Sequence, residues 1–277
     1  MNLREELESI RQNPSQEAGG RIVVQLPSGT GLEVSPRSVA WIDGAALMVG
    51  QLGNQRRILV VDLEEGSVLV ERFSGEKWTA EPGVECCCGE LDHHNAVAVR
   101  EVYEIVRPRP LGLANSFGLG DRLGVAGPAH LRAMRGSGFK PVLAQQSIRE
   151  LERTERSADE VMDAATWAVI EEGWTDDWGA DADHLKTPED VERMAAAGFT
   201  MFTIDPGDHV VDAADEMDAV ALEEAFGDLE GYLESIEKQI ISKALEESRW
   251  NRTATAKLLG ISFRSLRYRL KKLGLED

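Results

Sequence analysis

Apolar residues in the first quarter of the chain come in short runs at strand spacing. Between residues 21 and 73, RIVVQL, SVAW, ALMVGQL, RILVVDL and SVLVERF are rich in Val, Ile and Leu and are separated by Gly, Asp and Ser. That pattern predicts a small β-rich module. The period then changes: in HNAVAVREVYEIVR, Val97, Val102, Ile105 and Val106 keep helical spacing until Pro108 and Pro110 stop the helix predicted over His94–Arg107. From Leu111 to about His209, the strand-like segments GLANSFG, KPVLAQQ, WGADADHL and FTMFTIDP alternate with amphipathic stretches, which predicts βα units on a parallel sheet. Four such units are visible where a closed βα barrel needs eight, so the expectation is a half-barrel.

The last fifty residues carry a different pattern. Leu229, Leu233, Ile236, Ile240 and Ala244 fall three or four apart, as on one face of a helix, with Tyr232, Ile241 and Leu245 widening the stripe. Asn251 is placed to cap a second, short helix that Gly260 ends, and Ser262 a third. On the third, Phe263, Leu266, Leu270 and Leu273 share one face while Arg264, Arg267, Tyr268 and Lys271 share another. Helix, glycine-containing turn and basic second helix are the elements of a helix-turn-helix. The expected fold is therefore α/β with an all-α tail: a β-rich module over 1–110, a partial βα barrel over 111–212, an acidic linker over 213–227 and a three-helix domain over 228–277.

Charge sharpens this division. The chain of 277 residues has 30 basic and 49 acidic side chains, a net charge of −19 that by itself argues against a nucleic-acid partner. The sign is uneven, however. Arg249 to Lys272 holds eight basic residues and no acid, whereas Asp205 to Glu224 holds eight acids and no Lys or Arg. Arginine forks match guanine edges and lysines neutralise phosphates, so the face carrying Arg264, Arg267, Tyr268 and Lys271, with Lys272 beside it, is suited to contact double-stranded DNA. The blander alternative is a solvated, charged surface helix.

The absence of any long apolar run excludes a membrane span, and three adjacent cysteines, Cys86 to Cys88, cannot form a disulfide framework. Both fit a cytoplasmic protein. With His93 and His94 the cysteines could be taken for a metal cluster, but their spacing is not that of a zinc finger. Trp167, Trp174 and Trp178 are expected to be packing residues. Ser28-Gly29-Thr30-Gly31 lacks the lysine of a phosphate-binding loop, so no nucleotide cofactor and no ATPase is expected.

Polar residues cluster where the predicted βα strands end: Asp121 and Arg122, then Gln145, Gln146 and Arg149, then Asp181, Asp183 and His184, and finally Asp205, Asp208 and His209. In βα barrels that edge is where chemistry is assembled. Turn and cap residues are drawn from the same amino acids, which is the competing explanation for any one of them.

Two resemblances extend these readings. NRTATAKLLGISFRSLRYRLKKLGLE resembles the Fis-type DNA-binding domain that ends NtrC-type enhancer-binding activators, and this implies a homodimeric transcription regulator whose DNA contacts come from Ser262, Arg264, Ser265, Arg267, Tyr268 and Arg269. SFGLGDRLGVAGPAHLRA, VLAQQSIRELERTERSADEVMDAATWAVIEEGW, GADADHLKTPEDVE and GFTMFTIDPGDHV resemble the amino-terminal half of tagaturonate epimerase over about 111–212. That resemblance implies a hexuronate ligand, a divalent metal ion and epimerisation of a keto-sugar acid, with Asp181 and Asp183 as catalytic candidates. Asp121, Arg122 and Gln146 are the substrate-binding candidates, and His184 and His209 the metal candidates. The expectation placed first is a DNA-binding regulator. Its alternative is a metal-dependent tagaturonate/fructuronate epimerase whose barrel is completed by oligomerisation, or is truncated and inactive.

Overall fold

Strand β4 (Ala45–Leu52) turns alternate residues to opposite faces, and both faces are buried. Ala45, Leu47 and Val49 enter one core, while Ala46 and Met48 enter another. The neighbouring β5 (Gln55–Asp62) divides in the same way, with Ile58 and Val60 on the first side and Leu59 and Val61 on the second. Double-sided burial explains why these strands read as unbroken apolar runs. Each of the Leu, Ile, Val and Met side chains among them contributes roughly 1.5–3 kcal/mol when fully buried.

The computed structural model describes residues 2–12, 20–207 and 229–275. It divides into two units, Met1–Asp208 and His209–Asp277. In the first unit, β4 and β5 lie at the centre of a seven-stranded antiparallel sheet with β1 (Ile22–Gln25), β2 (Gly31–Val34), β7 (Val84–Glu90) and β6 (Glu76–Glu81), and β3 (Ala40–Ile42) also pairs with β4. Helix α1 (Leu3–Gln12) is amphipathic, and its Leu7 and Ile10 close the second core.

SVLVERF does not form the predicted strand. Leu69–Arg72 is a 3-10 turn, because the Asp62 carboxylate accepts from the backbone N–H groups of Leu69 (3.1 Å) and Val70 (3.2 Å) and from the Ser67 hydroxyl (2.7 Å). The helix predicted over His94–Arg107 is α2 (His93–Val102), which starts where Asp92 accepts from Asn95 N and is followed by a 3-10 turn at Glu104–Val106.

The βα region forms the expected parallel sheet, in the order β11 (Met201–Ile204), β10 (Gly179–Leu185), β9 (Lys140–Ser147), β8 (Ser116–Gly120). Helix α3 (Gly127–Met134) follows β8, and α4 (Ile148–Thr154) and α5 (Ala158–Glu171) follow β9. Helix α6 (Pro188–Ala196) joins β10 to β11. Capping boxes at Ser147/Glu150 and Ser157/Glu160 start α4 and α5. Helix α5 is apolar around most of its circumference because it packs on β9, on β4 of the antiparallel sheet, and on α2 and α3. One core therefore runs through both sheets of this unit. The edge strands β8 and β11 leave Phe117, Met201, Phe202 and Ile204 exposed.

In the second unit, α7 (Leu229–Glu247), α8 (Arg252–Leu258) and α9 (Phe263–Lys272) share a small core of Ile241, Leu245, Ala256, Leu266, Leu270 and Leu273. Asn251 and Ser262 cap α8 and α9, and Gly260 takes the left-handed backbone between them. Of the stripe expected on α7, Ile241, Ala244 and Leu245 are buried, whereas Ile236 and Ile240 face solvent. The acidic stretch over 213–227 lies outside the described residues.

Candidate active site

Four residues form a row across the four parallel strands: Gly118 on β8, Gln145 on β9, Asp181 on β10 and Thr203 on β11. Gln145 Nε2 donates to Asp181 Oδ2 (3.3 Å) and Thr203 Oγ1 donates to Asp181 Oδ1 (3.0 Å). Gly118 is what makes room for Gln145, since a Cβ there would stand 2.8 Å from Gln145 Oε1. Asp181 is almost fully buried. Burial pushes its carboxyl above the usual carboxylate range, and the hydrogen bonds from Thr203 and Gln145 only partly oppose the rise. The neighbouring Asp183 adds to it, and His184 counters it.

Beside this row, His184 Nδ1 lies 2.7 Å from Asp183 Oδ1, and the imidazole is more than half exposed. His184 has φ +56, in the left-handed region, and the β10–β11 register shifts between Ala182 and Leu185. This bulge re-aims the end of the strand, a device that recurs at strand ends carrying chemistry.

Gln145, rather than Gln146, reaches Asp181 because of a second bulge. Ala144 has φ +52, and the β9–β10 register shifts between Ala180 and Ala182, so the side-chain alternation along β9 is inverted after Leu143. Gln146 then pairs in register with Ala182, whose side chain belongs to the core. It is fully buried, with neither amide atom hydrogen-bonded.

The other expected site residues are engaged elsewhere. The Asp121 carboxylate accepts from the backbone N–H groups of Val125 (3.2 Å), Ala126 (2.7 Å) and Gly127 (3.0 Å), and so holds the start of α3. Arg122 is ion-paired with Glu150. His209 lies outside the described residues. Thr203 and Gly118 were not singled out from the sequence for this role. Alternating polar residues on a four-residue strand give too weak a signal for the first, and a glycine that makes room for a neighbouring side chain leaves no chemical mark for the second.

The described residues do not by themselves bring together a set of metal ligands, and the second expected metal residue, His209, lies outside them. Among the described residues no group of three His, Cys, Asp or Glu side chains converges. Asp181 is already held by Gln145 and Thr203, and Asp183 and His184 hold each other. The cysteine cluster is structural as well: Cys86, Cys87 and Cys88 are buried on alternating faces of β7, Cys87 in one core and its neighbours in the other. Burial pushes the Cys86 thiol up to about 12, Cys88 to about 11 and Cys87 in the same direction. His93 is instead bound through Nδ1 to the buried Asp163 (2.9 Å), which also accepts from Arg100 (2.8 Å). Trp167, Trp174 and Trp178 are buried, and Trp178 donates to the Ile105 carbonyl.

The family model for UxaE, tagaturonate epimerase, matches residues 35–259. The chain is 48% identical over 154 residues to the tagaturonate/fructuronate epimerase of Thermotoga maritima, covering 53% of this chain and 32% of that protein. It is 47% identical over 93 residues to the response regulator protein PilR of Pseudomonas aeruginosa, covering 31% of this chain and 21% of that one. A glycerol-complexed crystal structure of the fructuronate-tagaturonate epimerase UxaE from Cohnella laeviribosi superposes with a TM-score of 0.63 at 31% identity, covering 85% of this chain and 44% of that one. The native structure of the same enzyme gives 0.60 at 32%, covering 90% and 44%. The chain thus spans less than half the length of these relatives.

These matches overturn the expectation of a DNA-binding regulator with a double-stranded DNA partner. The family model runs into the helical unit as far as residue 259, and the match to a regulator takes in under a third of the chain. Half of the expected contacts also serve the helical unit itself. Ser262 caps α9, Ser265 accepts from Arg269 Nε, Arg269 is ion-paired with Glu237, and Lys272 lies 2.8 Å from Glu234. Arg264, Arg267, Tyr268 and Lys271 are exposed, which is the solvated face of the blander alternative. By its match over most of its length, the chain belongs to the tagaturonate epimerase family.

Proposed function

We propose that this chain binds a keto-hexuronate of the tagaturonate and fructuronate type at the carboxyl ends of β9, β10 and β11 and contributes the acid–base groups of its epimerisation. The observation that carries the reading is Asp181, a buried carboxyl fixed by Gln145 and Thr203 beside the Asp183–His184 pair. Inverting a hydroxyl-bearing carbon, whether by moving a proton or by breaking and remaking a neighbouring carbon–carbon bond, calls for one group that takes up a proton and another that returns one. Two titratable groups with unlike environments are suited to those opposite roles.

In this scheme Asp181 is the acid, because burial favours its protonated form. His184 is the base: Asp183 holds Nδ1, leaving Nε2 to face the substrate. The four strands supply half of a barrel mouth, consistent with a chain that covers 44% of the solved enzymes.

The test is incubation of the folded chain with tagaturonate, with and without added divalent cations, followed by NMR for fructuronate. Turnover or saturable binding that Asp181→Asn abolishes is the expected result. A folded sample that neither binds nor converts the sugar acid overturns the reading.

A further inference from the structure

Next to the Asp183–His184 pair, a cleft of about 360 Å³ opens between α4 and α6, lined among others by Ser147, Arg149, Glu152, His184, Lys186 and Asp205. That volume is at the small end for ligand pockets and suits a compact metabolite. The charges around it are largely committed. Asp205 accepts from Gly207 N (2.8 Å) and lies 3.9 Å from Lys186 Nζ. Asp190, also on the wall, pairs with Arg193. Arg149 differs: it is exposed at the start of α4, with no hydrogen-bond or ion-pair partner among the described residues.

We propose that Arg149 is the residue that recognises the carboxylate of the sugar acid and so sets the specificity of this site for acids over neutral sugars. The inference rests on the hexuronate reading above. A guanidinium presents two parallel N–H donors to a carboxylate, a match that a point charge such as Lys186 does not reproduce. Asp205 and Glu152 on the same wall are acceptors suited to hydroxyl groups. A cleft with one uncommitted arginine and several acceptors fits a polyhydroxy monoacid better than a multiply charged anion, which the acids would repel. His184 lines this same cleft, so an acid anchored at Arg149 has its carbon chain beside the proposed base.

The experiment is calorimetric titration of the full chain with tagaturonate and with tagatose, its counterpart lacking the carboxylate, for wild type, Arg149→Gln, Arg149→Lys and Lys186→Gln. The wild type should bind the acid at least 10-fold more tightly than the neutral sugar. Arg149→Gln should erase that preference by weakening the acid alone, Arg149→Lys should restore part of it, and Lys186→Gln should change it little. If Arg149→Gln keeps the preference while tagaturonate still binds, the role of Arg149 is wrong and the epimerase reading stands. If the folded wild type binds neither sugar, both fall. Near-UV circular dichroism confirms folding of each variant.

Discussion

Thr203 on the edge strand β11 donates its hydroxyl to Asp181 on β10 over 3.0 Å, and this bond fixes a carboxyl that burial is pushing toward its protonated form. The folded carboxyl holds its proton to a higher pH than the unfolded one. The native state therefore binds more protons in the window between the two values, and stability falls as pH rises through it. Above that window the cost of burying the anion is fully present. Asp181→Asn should accordingly raise Tm at pH 7 by about 2–4 °C, roughly what ~1 kcal/mol is worth in a chain approaching this size, while removing turnover. The gain should shrink as pH is lowered toward 4. A variant less stable than wild type at pH 7 would contradict the assignment of strain to this carboxyl.

Gly118 is the far end of the same row. Gly118→Val places branched carbons where Gln145 now lies, 2.8 Å away at the Cβ alone. The Gln145 side chain is displaced and Asp181 Oδ2 loses its donor, a loss of about 1–3 kcal/mol for a buried acceptor. Thermal unfolding should show the destabilisation, and binding of the sugar acid should weaken. Unchanged values for both would mean that Gln145 does not support Asp181.

Glu172, at the end of α5, is a buried carboxylate shared by Arg37 from the antiparallel-sheet region and Arg132 from α3. Deleting one partner of a fully buried pair costs about 3–5 kcal/mol. Here both arginines are more than a third exposed and water can solvate them, so Glu172→Ala should cost less, about 1–2 kcal/mol. Urea unfolding with an unchanged m-value measures this directly.

The three thiols provide a probe of the double-sided sheet. With Cys86 and Cys88 pushed up to about 12 and 11, these two hold almost no thiolate at pH 8, and burial moves Cys87 in the same direction. Ellman's reagent should label none of them in the native protein and all three after unfolding. Rapid labelling of the native state would show that β7 is not covered on both faces.

Much of this architecture is legible from periodicity alone. The runs around β4 and β5, the four βα strands and the capped helices α8 and α9 all follow from local patterns of apolar and capping residues. Three features do not. SVLVERF has strand composition, yet it turns because one carboxylate, Asp62, gathers three donors. Helix α1 is dominated by charged and polar residues, yet its Leu7 and Ile10 close a core whose other walls come from distant strands. At the site, Asp181, Asp183 and His184 stand out by composition, but the choice between Gln145 and Gln146 depends on a bulge at Ala144. A residue of ordinary β propensity in a left-handed conformation leaves no mark in the sequence. The basic run of α9 misled for a related reason: composition shows the charges but not that Arg269 and Lys272 face Glu237 and Glu234.

Helix α5 has almost no surface of its own, lodged as it is against β4 on one side and β9 on the other. A gene fragment ending near residue 110, or one beginning there, would leave either the helix without half its walls or the walls without their filling. The two sheets of the first unit are thus obliged to fold as one cooperative body, and evolutionary exchange of either half for a foreign one would have to preserve the apolar contour of this single helix.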